Sequence, residues 1–202
     1  MKVALIGATG NAGSAILGEL VRRGHDVTAI VRHPENVPAL KGVTAQKGDV
    51  FDEKHLASLL KDHDVAISSV HFTASDPEIL LAAVKSSGVK RYLIVGGAGS
   101  LEVAPGVTLV SSPEFPAAYK AEATKGGEFL ALLRRQDDVN WTFLSPSALF
   151  FDGPQTGKFR VGKDQLLTTE KGSSISFADY AIALIDELER PAHIRQRFTV
   201  GY

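Results

Sequence analysis

The chain contains no cysteine. Disulfides, thiolate metal sites and a cysteine nucleophile are therefore excluded. Neither sign of charge is in excess, with 22 Lys and Arg against 23 Asp and Glu and a formal net charge of −1. That balance offers no basic face for nucleic acid or an anionic membrane. No apolar run approaches the length of a membrane span, and Met1-Lys2-Val3 leads directly into a fold element without a signal-peptide layout. Cytoplasmic location is the expectation. The histidines, at 25, 33, 55, 63, 71 and 193, include no pair at a metal-binding spacing such as H-E-x-x-H, so no metal is expected. His71 alone among them is placed to touch a ligand. What is present is an ordinary globular composition, 44% hydrophobic and 22% charged over 202 residues. That is enough for one domain with a well-buried core.

The organising stretch is Val3-Ala4-Leu5-Ile6-Gly7-Ala8-Thr9-Gly10-Asn11-Ala12-Gly13-Ser14. A short apolar run, suited to a strand buried on both faces, meets three glycines three residues apart, and a helical pattern follows. Gly7 suits a tight turn, Gly10 removes the Cβ that would block a phosphate, and Gly13 allows close packing of helix on strand. Thr9 and Asn11 are expected to cap the helix. Its free N–H groups and positive dipole end then face an anion. Gly7, Thr9, Gly10, Asn11, Ala12 and Gly13 thus form a candidate pyrophosphate cradle. The spacing is G-x-x-G-x-x-G rather than the common G-x-G-x-x-G, but its place between strand and helix is the one the motif requires.

Further along, apolar runs alternate with helical patterns. Strands are expected at 26–31, 43–47, 64–69, 91–95 and 140–144, with helices at 12–23, after Asp52, after Asp76-Pro77, and over 117–135. This alternation predicts an α/β fold, a Rossmann-like doubly wound parallel sheet flanked by helices. The whole chain, 1–202, reads as a single NAD(P)-binding domain, with residues 146–176 and 192–202 on the substrate side. Ligands of such sheets bind beyond the carboxyl ends of the strands. Gly7, Arg32, Ser68 and Gly96 should then share one rim, joined by Ser69 and Gly97. After the second strand, Val31-Arg32-His33-Pro34 places a cation where an NAD site usually places a carboxylate. Arg32 matches a ribose 2′-phosphate, with His33 beside it, so NADP(H) is expected over NAD(H). A solvated loop arginine is the plainer alternative. Asp49 is read either as an adenine-side residue or as a turn residue. Ser176-Phe177-Ala178-Asp179 resembles a capping box with Asp in place of Glu, and 197–200 alternates as an edge or minor-sheet strand would.

With these residues in view the chain resembles an atypical short-chain dehydrogenase/reductase, of the NAD(P)H-binding group that includes NmrA-like proteins and biliverdin/flavin reductases. The carriers are GATGNAGS at 7–14, VRHP at 31–34, GDV at 48–50, VGGAGS at 95–100 and SFADYAIALIDELERP at 176–191. TGKFRVGKDQLL and the ending DELERPAHIRQRFTVGY are close to bacterial proteins named by inference as NADH-flavin reductases. The resemblance implies that Ser100 lies near the position of the larger family's catalytic serine, and that the backbone at Ser145-Pro146 lies near the nicotinamide. It also exposes a gap. Many of these enzymes use Tyr-x-x-x-Lys, the lysine lowering the tyrosine pKa for proton transfer. Here Tyr119 is followed directly by Lys120, and Ala123 stands where the lysine would be. Neighbours on a helix diverge by about 100°, so Tyr119 and Lys120 cannot act as that pair. Tyr119 is either a substrate contact or an aromatic packed at a helix start. Phe150 and Phe151 are candidates for stacking on a flat acceptor, with core packing the alternative; 101–116 reads as an active-site loop and 153–169 as a substrate-side flap.

The implied function is an NAD(P)H-dependent oxidoreductase, passing hydride from NADPH to a flavin or similar planar acceptor. The alternative is a non-catalytic dinucleotide sensor similar to NmrA-like regulators. Sugar-nucleotide epimerisation is a weaker third option, because it usually depends on the missing pair. A small-molecule acceptor is the expected partner, without nucleic acid or membrane, in a monomer or homodimer.

Overall fold

A computed structural model describes residues 1–202. The strands are β1 (Lys2–Ile6), β2 (Asp26–Val31), β3 (Val43–Lys47), β4 (Val65–Ser68), β5 (Arg91–Val95), β6 (Glu102–Ala104), β7 (Val107–Thr108), β8 (Asn140–Ser145), β9 (Leu149–Phe151), β10 (Arg160–Gly162), β11 (Ser174–Ser176) and β12 (Gln196–Gly201). The helices are α1 (Asn11–Arg22), α2 (Glu53–Leu60), α3 (Pro77–Ser87), α4 (Ala117–Leu133) and α5 (Phe177–Glu189). One eight-stranded sheet runs β10-β12-β8-β5-β4-β1-β2-β3. All its pairings are parallel except β10 with β12. The fold is Rossmann-like α/β.

The layers follow from the alternation of side chains. On β1, Val3 and Leu5 enter one apolar cluster with Ile16, Leu17 and Leu20 of α1 and Leu184 of α5. Ala4 and Ile6 point the other way, into a cluster with α2, α3 and α4. A strand buried on both faces must be apolar at every position, and residues 3–6 are. Because α1 covers one face and α3 the other, the chain diverges at the β1/β4 boundary, which opens a crevice at the carboxyl ends of these strands. Trp141, the lone tryptophan, is buried on β8. Its Nε1–H donates to the Gln136 carbonyl at 3.4 Å.

Three local expectations change. Residues 197–200 do not form an edge or minor strand. β12 lies inside the main sheet, between β8 and β10, with Arg197, Phe198, Thr199 and Val200 all buried. Its alternation is real, but the polar side chains on the second face are satisfied within the protein, so both faces are covered. Thr9 and Asn11 do not cap α1; Gly10 is the N-cap and no side chain closes it. In the 176–179 box, Ser176 Oγ accepts from the Asp179 N–H at 3.0 Å, but the Asp179 carboxylate turns to residues 156–157. It accepts from Thr156 N–H and Gly157 N–H, each at 2.8 Å, and from the Tyr202 hydroxyl at 2.8 Å. The Ser176 N–H goes instead to the Tyr202 oxygen at 3.3 Å.

Candidate functional site

The glycine loop is shaped by contact with the loop after β4. Gly7 has φ +84°, which favours glycine. A methyl group there would overlap the Ser69 carbonyl, and one on Gly13 would overlap the Gly7 carbonyl. These two glycines let β1, β4 and α1 converge. Gly10 is different. A methyl group on it would lie 3.6 Å from the Gly7 oxygen and 4.0 Å from the Ser69 oxygen, ordinary contacts, so packing does not require its glycine. The bare backbone at Gly10 leaves room for a ligand group to approach.

The α1 terminus carries the same implication. Three other helices are closed by side chains, α2 by Asp52, α3 by Asp76 and α5 by Ser176, whereas α4, which starts after Pro116, is uncapped like α1 but has no bare glycine at its N-cap. At α1 no side chain accepts from the first-turn N–H groups, and no acidic residue lies in that turn. The N–H groups of Asn11, Ala12 and Gly13 precede the helical ladder, which starts with Ser14 N–H to Gly10 O at 2.8 Å. An uncapped terminus beside a bare glycine fits a diphosphate in charge, donor type and space.

The remaining rim residues sort into two groups. Gly96 closes the β5 end, with its N–H on the Leu144 carbonyl at 2.8 Å, and a methyl group there would collide with the Phe143 ring. Gly97 faces Phe72. Ser69 is half-buried and its N–H donates to the Ile6 carbonyl at 2.8 Å. Ser145 is fully buried at the end of β8, and its Oγ has no hydrogen-bond partner in the protein. An orphaned buried hydroxyl at this rim is a further mark of a site that takes a polar ligand. The Ser145 carbonyl accepts from Thr199 Oγ1 at 2.9 Å, and Pro146 beside it is buried. Arg32 and His33 are exposed at the end of β2. His33 Nδ1 lies 3.1 Å from Glu35, while Arg32 enters no ion pair.

Other candidates are committed elsewhere. Ser68 Oγ accepts from the Tyr92 hydroxyl at 2.9 Å inside the core, so it does not present a hydroxyl to the rim. Burial pushes the Tyr92 pKa well above the ordinary phenol value, which keeps it a neutral donor. Asp49 Oδ1 accepts from the Phe51 N–H at 2.9 Å, an Asx turn, which is the turn reading of that residue. The Phe150 ring lies 4.5 Å from Phe177 and 4.7 Å from Tyr180 and is a core ring rather than a stacking platform. Phe151 is half-buried, its ring over Gly153. His71 is exposed, 3.3 Å from Glu122.

Around α4 the structure accounts for the missing acid/base pair. A methyl on Gly99 would lie 2.6 Å from Ala123 Cβ, so Ala123 is seated directly on the loop after β5. A lysine at 123 would have to displace that loop. Tyr119, one turn earlier on the same helix face, is 66% exposed. The face that packs on Gly99 at Ala123 and on Phe72 at Gly126 therefore runs out into solvent at Tyr119. Glu122 fixes the helix to the loop after β4. Its carboxylate accepts from Phe72 N–H at 2.8 Å, Thr73 N–H at 2.9 Å and Thr73 Oγ1 at 2.7 Å. Burial raises its pKa, but these bonds outweigh that and hold it below the usual range. Sequence reasoning missed Glu122, Asp164 and Arg197. The last gave one signal, a cation inside an apolar strand pattern.

Fold and cradle define a dinucleotide-binding α/β protein. The model of a family described as NAD(P)H-binding matches residues 7–191. The chain belongs to that family. It is 43% identical to the uncharacterized protein YwnB of Bacillus subtilis, across 99% of this chain and 98% of that protein. A solved structure from Bacteroides thetaiotaomicron, named a "putative epimerase", superposes with a TM-score of 0.95 at 41% identity, covering 100% and 96% of the two chains. A "putative NADH-flavin reductase" from Streptococcus pneumoniae superposes with a TM-score of 0.84 at 38% identity, covering 100% and 99%. No helix is long and apolar enough to cross a membrane.

Proposed function

We propose that this chain is a cytoplasmic NADPH-dependent reductase that delivers hydride to a flavin or a similar planar acceptor. The observation that carries the reading is the uncapped start of α1 beside the bare Gly10. A bound reduced nicotinamide supplies the hydride. The chain's own residues do the rest. Asn11, Ala12 and Gly13 offer N–H groups to the diphosphate, and Arg32 offers its planar fork to a 2′-phosphate.

The lack of a tyrosine–lysine pair supports a flavin over a carbonyl substrate. Hydride transfer to oxidised flavin needs orientation and close approach, and solvent then protonates the product. The name of the Streptococcus pneumoniae relative is in keeping with this choice. The name of the Bacteroides relative is not, but epimerisation usually leans on the pair that Ala123 displaces.

The test is oxidation of NADPH and NADH by purified protein, with and without FMN, FAD or riboflavin. Flavin-dependent oxidation, faster with NADPH, is expected. Nucleotide binding without turnover on any acceptor would replace the reductase by a dinucleotide sensor.

A further inference from the structure

One carboxylate joins two walls of the rim. Glu122, in the second turn of α4, turns both of its oxygens to the loop after β4. Oε1 accepts from the Phe72 N–H at 2.8 Å and has His71 Nδ1 at 3.3 Å. Oε2 accepts from the Thr73 N–H at 2.9 Å and from Thr73 Oγ1 at 2.7 Å. Successive N–H groups that converge on one point form a concave anion site, and an ionised carboxylate, which only accepts, satisfies them all. Gly126, one turn further along α4, makes room for the Phe72 ring, which a methyl group there would meet at 2.8 Å. That ring stacks in turn on Phe143, with centroids 6.2 Å apart.

The loop that Glu122 holds is also a wall of the glycine cradle. The Ser69 N–H is fixed to the Ile6 carbonyl at 2.8 Å. The Ser69 carbonyl and Val70 Cγ1 are the atoms that a methyl group on Gly7 would strike, and the same carbonyl would lie 4.0 Å from a methyl group on Gly10. The stretch from Ser69 to Thr73 is therefore held at both ends, by β1 through Ser69 and by α4 through Glu122. The start of α4 has little other support. Residues 117–121, more than a full turn, are all exposed, so Glu122 and Ala123 are where the helix first meets the body. Ala123 seats on Gly99, beside Ser100, whose Oγ accepts from the buried Arg197 at 3.2 Å. Of these two contacts, Glu122 is the one that reaches the loop bordering Gly7 and Gly10.

We propose that Glu122 is a positioning residue for the dinucleotide: by holding Phe72 and Thr73 it keeps the Ser69–Val70 wall set against Gly7 and Gly10, so the cradle is formed before the cofactor arrives. This role rests on the dinucleotide-binding part of the proposed function and extends it to a residue on the helix that carries Tyr119. Without the carboxylate, residues 70–73 move among several conformations and must be ordered when the cofactor binds, which costs affinity. The loss is common to NADPH and NADH. The wall borders the diphosphate cradle at the ends of β1 and β4, whereas Arg32 stands at the end of β2.

The experiment measures binding, so it needs no acceptor. Wild type, Glu122→Gln and Thr73→Val are titrated with NADPH and with NADH. Glu122→Gln keeps the size of the side chain but turns one accepting oxygen into a donor that faces other donors. It should raise Kd for both nucleotides by the same factor, about tenfold, the cost of ordering roughly one freed residue on binding. Thr73→Val keeps the shape of its side chain and loses only the hydroxyl bond, so it should raise both values by a smaller common factor. A common factor separates this role from that of Arg32, which acts on NADPH alone.

A merely structural role would lower Tm and leave Kd unchanged below the melting range. Glu187→Gln is the control for lost stability. Glu187 is buried at the other end of the sheet, where it accepts from Arg91 at 2.8 Å, from the Ala192 N–H at 3.1 Å and from the His193 N–H at 3.0 Å. That variant should melt lower and bind both nucleotides as wild type does. Hydrogen exchange over 70–73 gives the second readout. It should be faster in nucleotide-free Glu122→Gln than in wild type, and saturating NADP⁺ should slow it again. A folded Glu122→Gln with wild-type Kd for both nucleotides overturns the positioning role and leaves the dinucleotide site standing, and so does a loss confined to NADPH. If Glu122→Gln does not fold, wild-type Kd values in Thr73→Val overturn the role instead. Wild type that binds neither nucleotide overturns the role and the dinucleotide reading together.

Discussion

Arg32 and Ala123 carry the sharpest consequences at the scale of single residues. Arg32 is exposed and enters no ion pair, so its removal should cost the fold little. Arg32→Ala is expected to weaken NADPH binding roughly 10–100-fold, as loss of charge-assisted bonds to a phosphate does, and to leave NADH binding unchanged. Titration with both nucleotides checks this, and equal losses would remove the 2′-phosphate role. Ala123 tests the gap beside Tyr119. Ala123→Lys restores the Tyr-x-x-x-Lys spacing on paper, but its stem must push the Gly99 loop aside. The expected result is a stability loss of about 1–3 kcal/mol by thermal melting, with no gain in turnover. A faster enzyme would show that the loop yields and that the tyrosine reaches the substrate.

Helices, strands and loops show where the sequence was legible and where it was not. β2, β3 and β5 have the bounds their apolar runs imply. Gly7 sits in the left-handed turn that its place after a strand demands. What could not be read was satisfaction across the chain. Ser68 looked like a rim hydroxyl until β5 placed Tyr92 beside it. Arg197 looked like one outward residue of an edge strand until Asp164, 33 positions away, met it indoors. Asp179 looked like half of a local box, yet it binds a loop more than twenty residues earlier. In each case local spacing shows a polar group, and only the packed sheet supplies its partner. The loop tied to Asp179 offers its own test. Asp179→Ala strips Thr156 and Gly157 of their acceptor and leaves the Tyr202 hydroxyl only Ser176 Oγ, 3.0 Å away. Hydrogen exchange over 154–158 should then approach that of an open loop, while α5 stays protected through its buried face. Unchanged protection would mean that the loop is held by its other bonds.

For the whole molecule the sealed seam between α1 and α5 sets the response to acid. Glu19 is buried on α1, which by itself would raise its pKa, but bonds from Arg22 and Arg23 overcome burial and bring it to about 2. Arg23 crosses to Asp186 at 2.7 Å and to Glu189 at 2.8 Å on α5. Gln155 reaches Glu19 from the flap at 3.1 Å. Burial likewise opposes the low pKa of Asp179, and the bond from Thr156 leads those that lower it. A carboxylate with a folded pKa below its unfolded one stabilises the fold above the unfolded pKa, and that stability is lost as pH falls through the folded value. For Glu19 the window runs from the ordinary 4.5 down to about 2. The melting temperature should therefore fall steeply below about pH 4.5, and Glu19→Gln should flatten that fall while lowering stability at neutral pH. An acid limb identical in the variant would show that the seam is not its source.

Trp141 turns the sheet into an optical instrument. It is buried on the strand whose carboxyl end reaches the rim, and no second indole competes with its signal. Indole emission overlaps the absorption band of reduced nicotinamides but not that of oxidised ones. A reduced dinucleotide seated at the rim should quench the emission without shifting its colour, while unfolding should shift it to the red as water reaches the ring. One unlabelled sample then reports the occupancy of the rim, the redox state of its occupant and the integrity of the sheet.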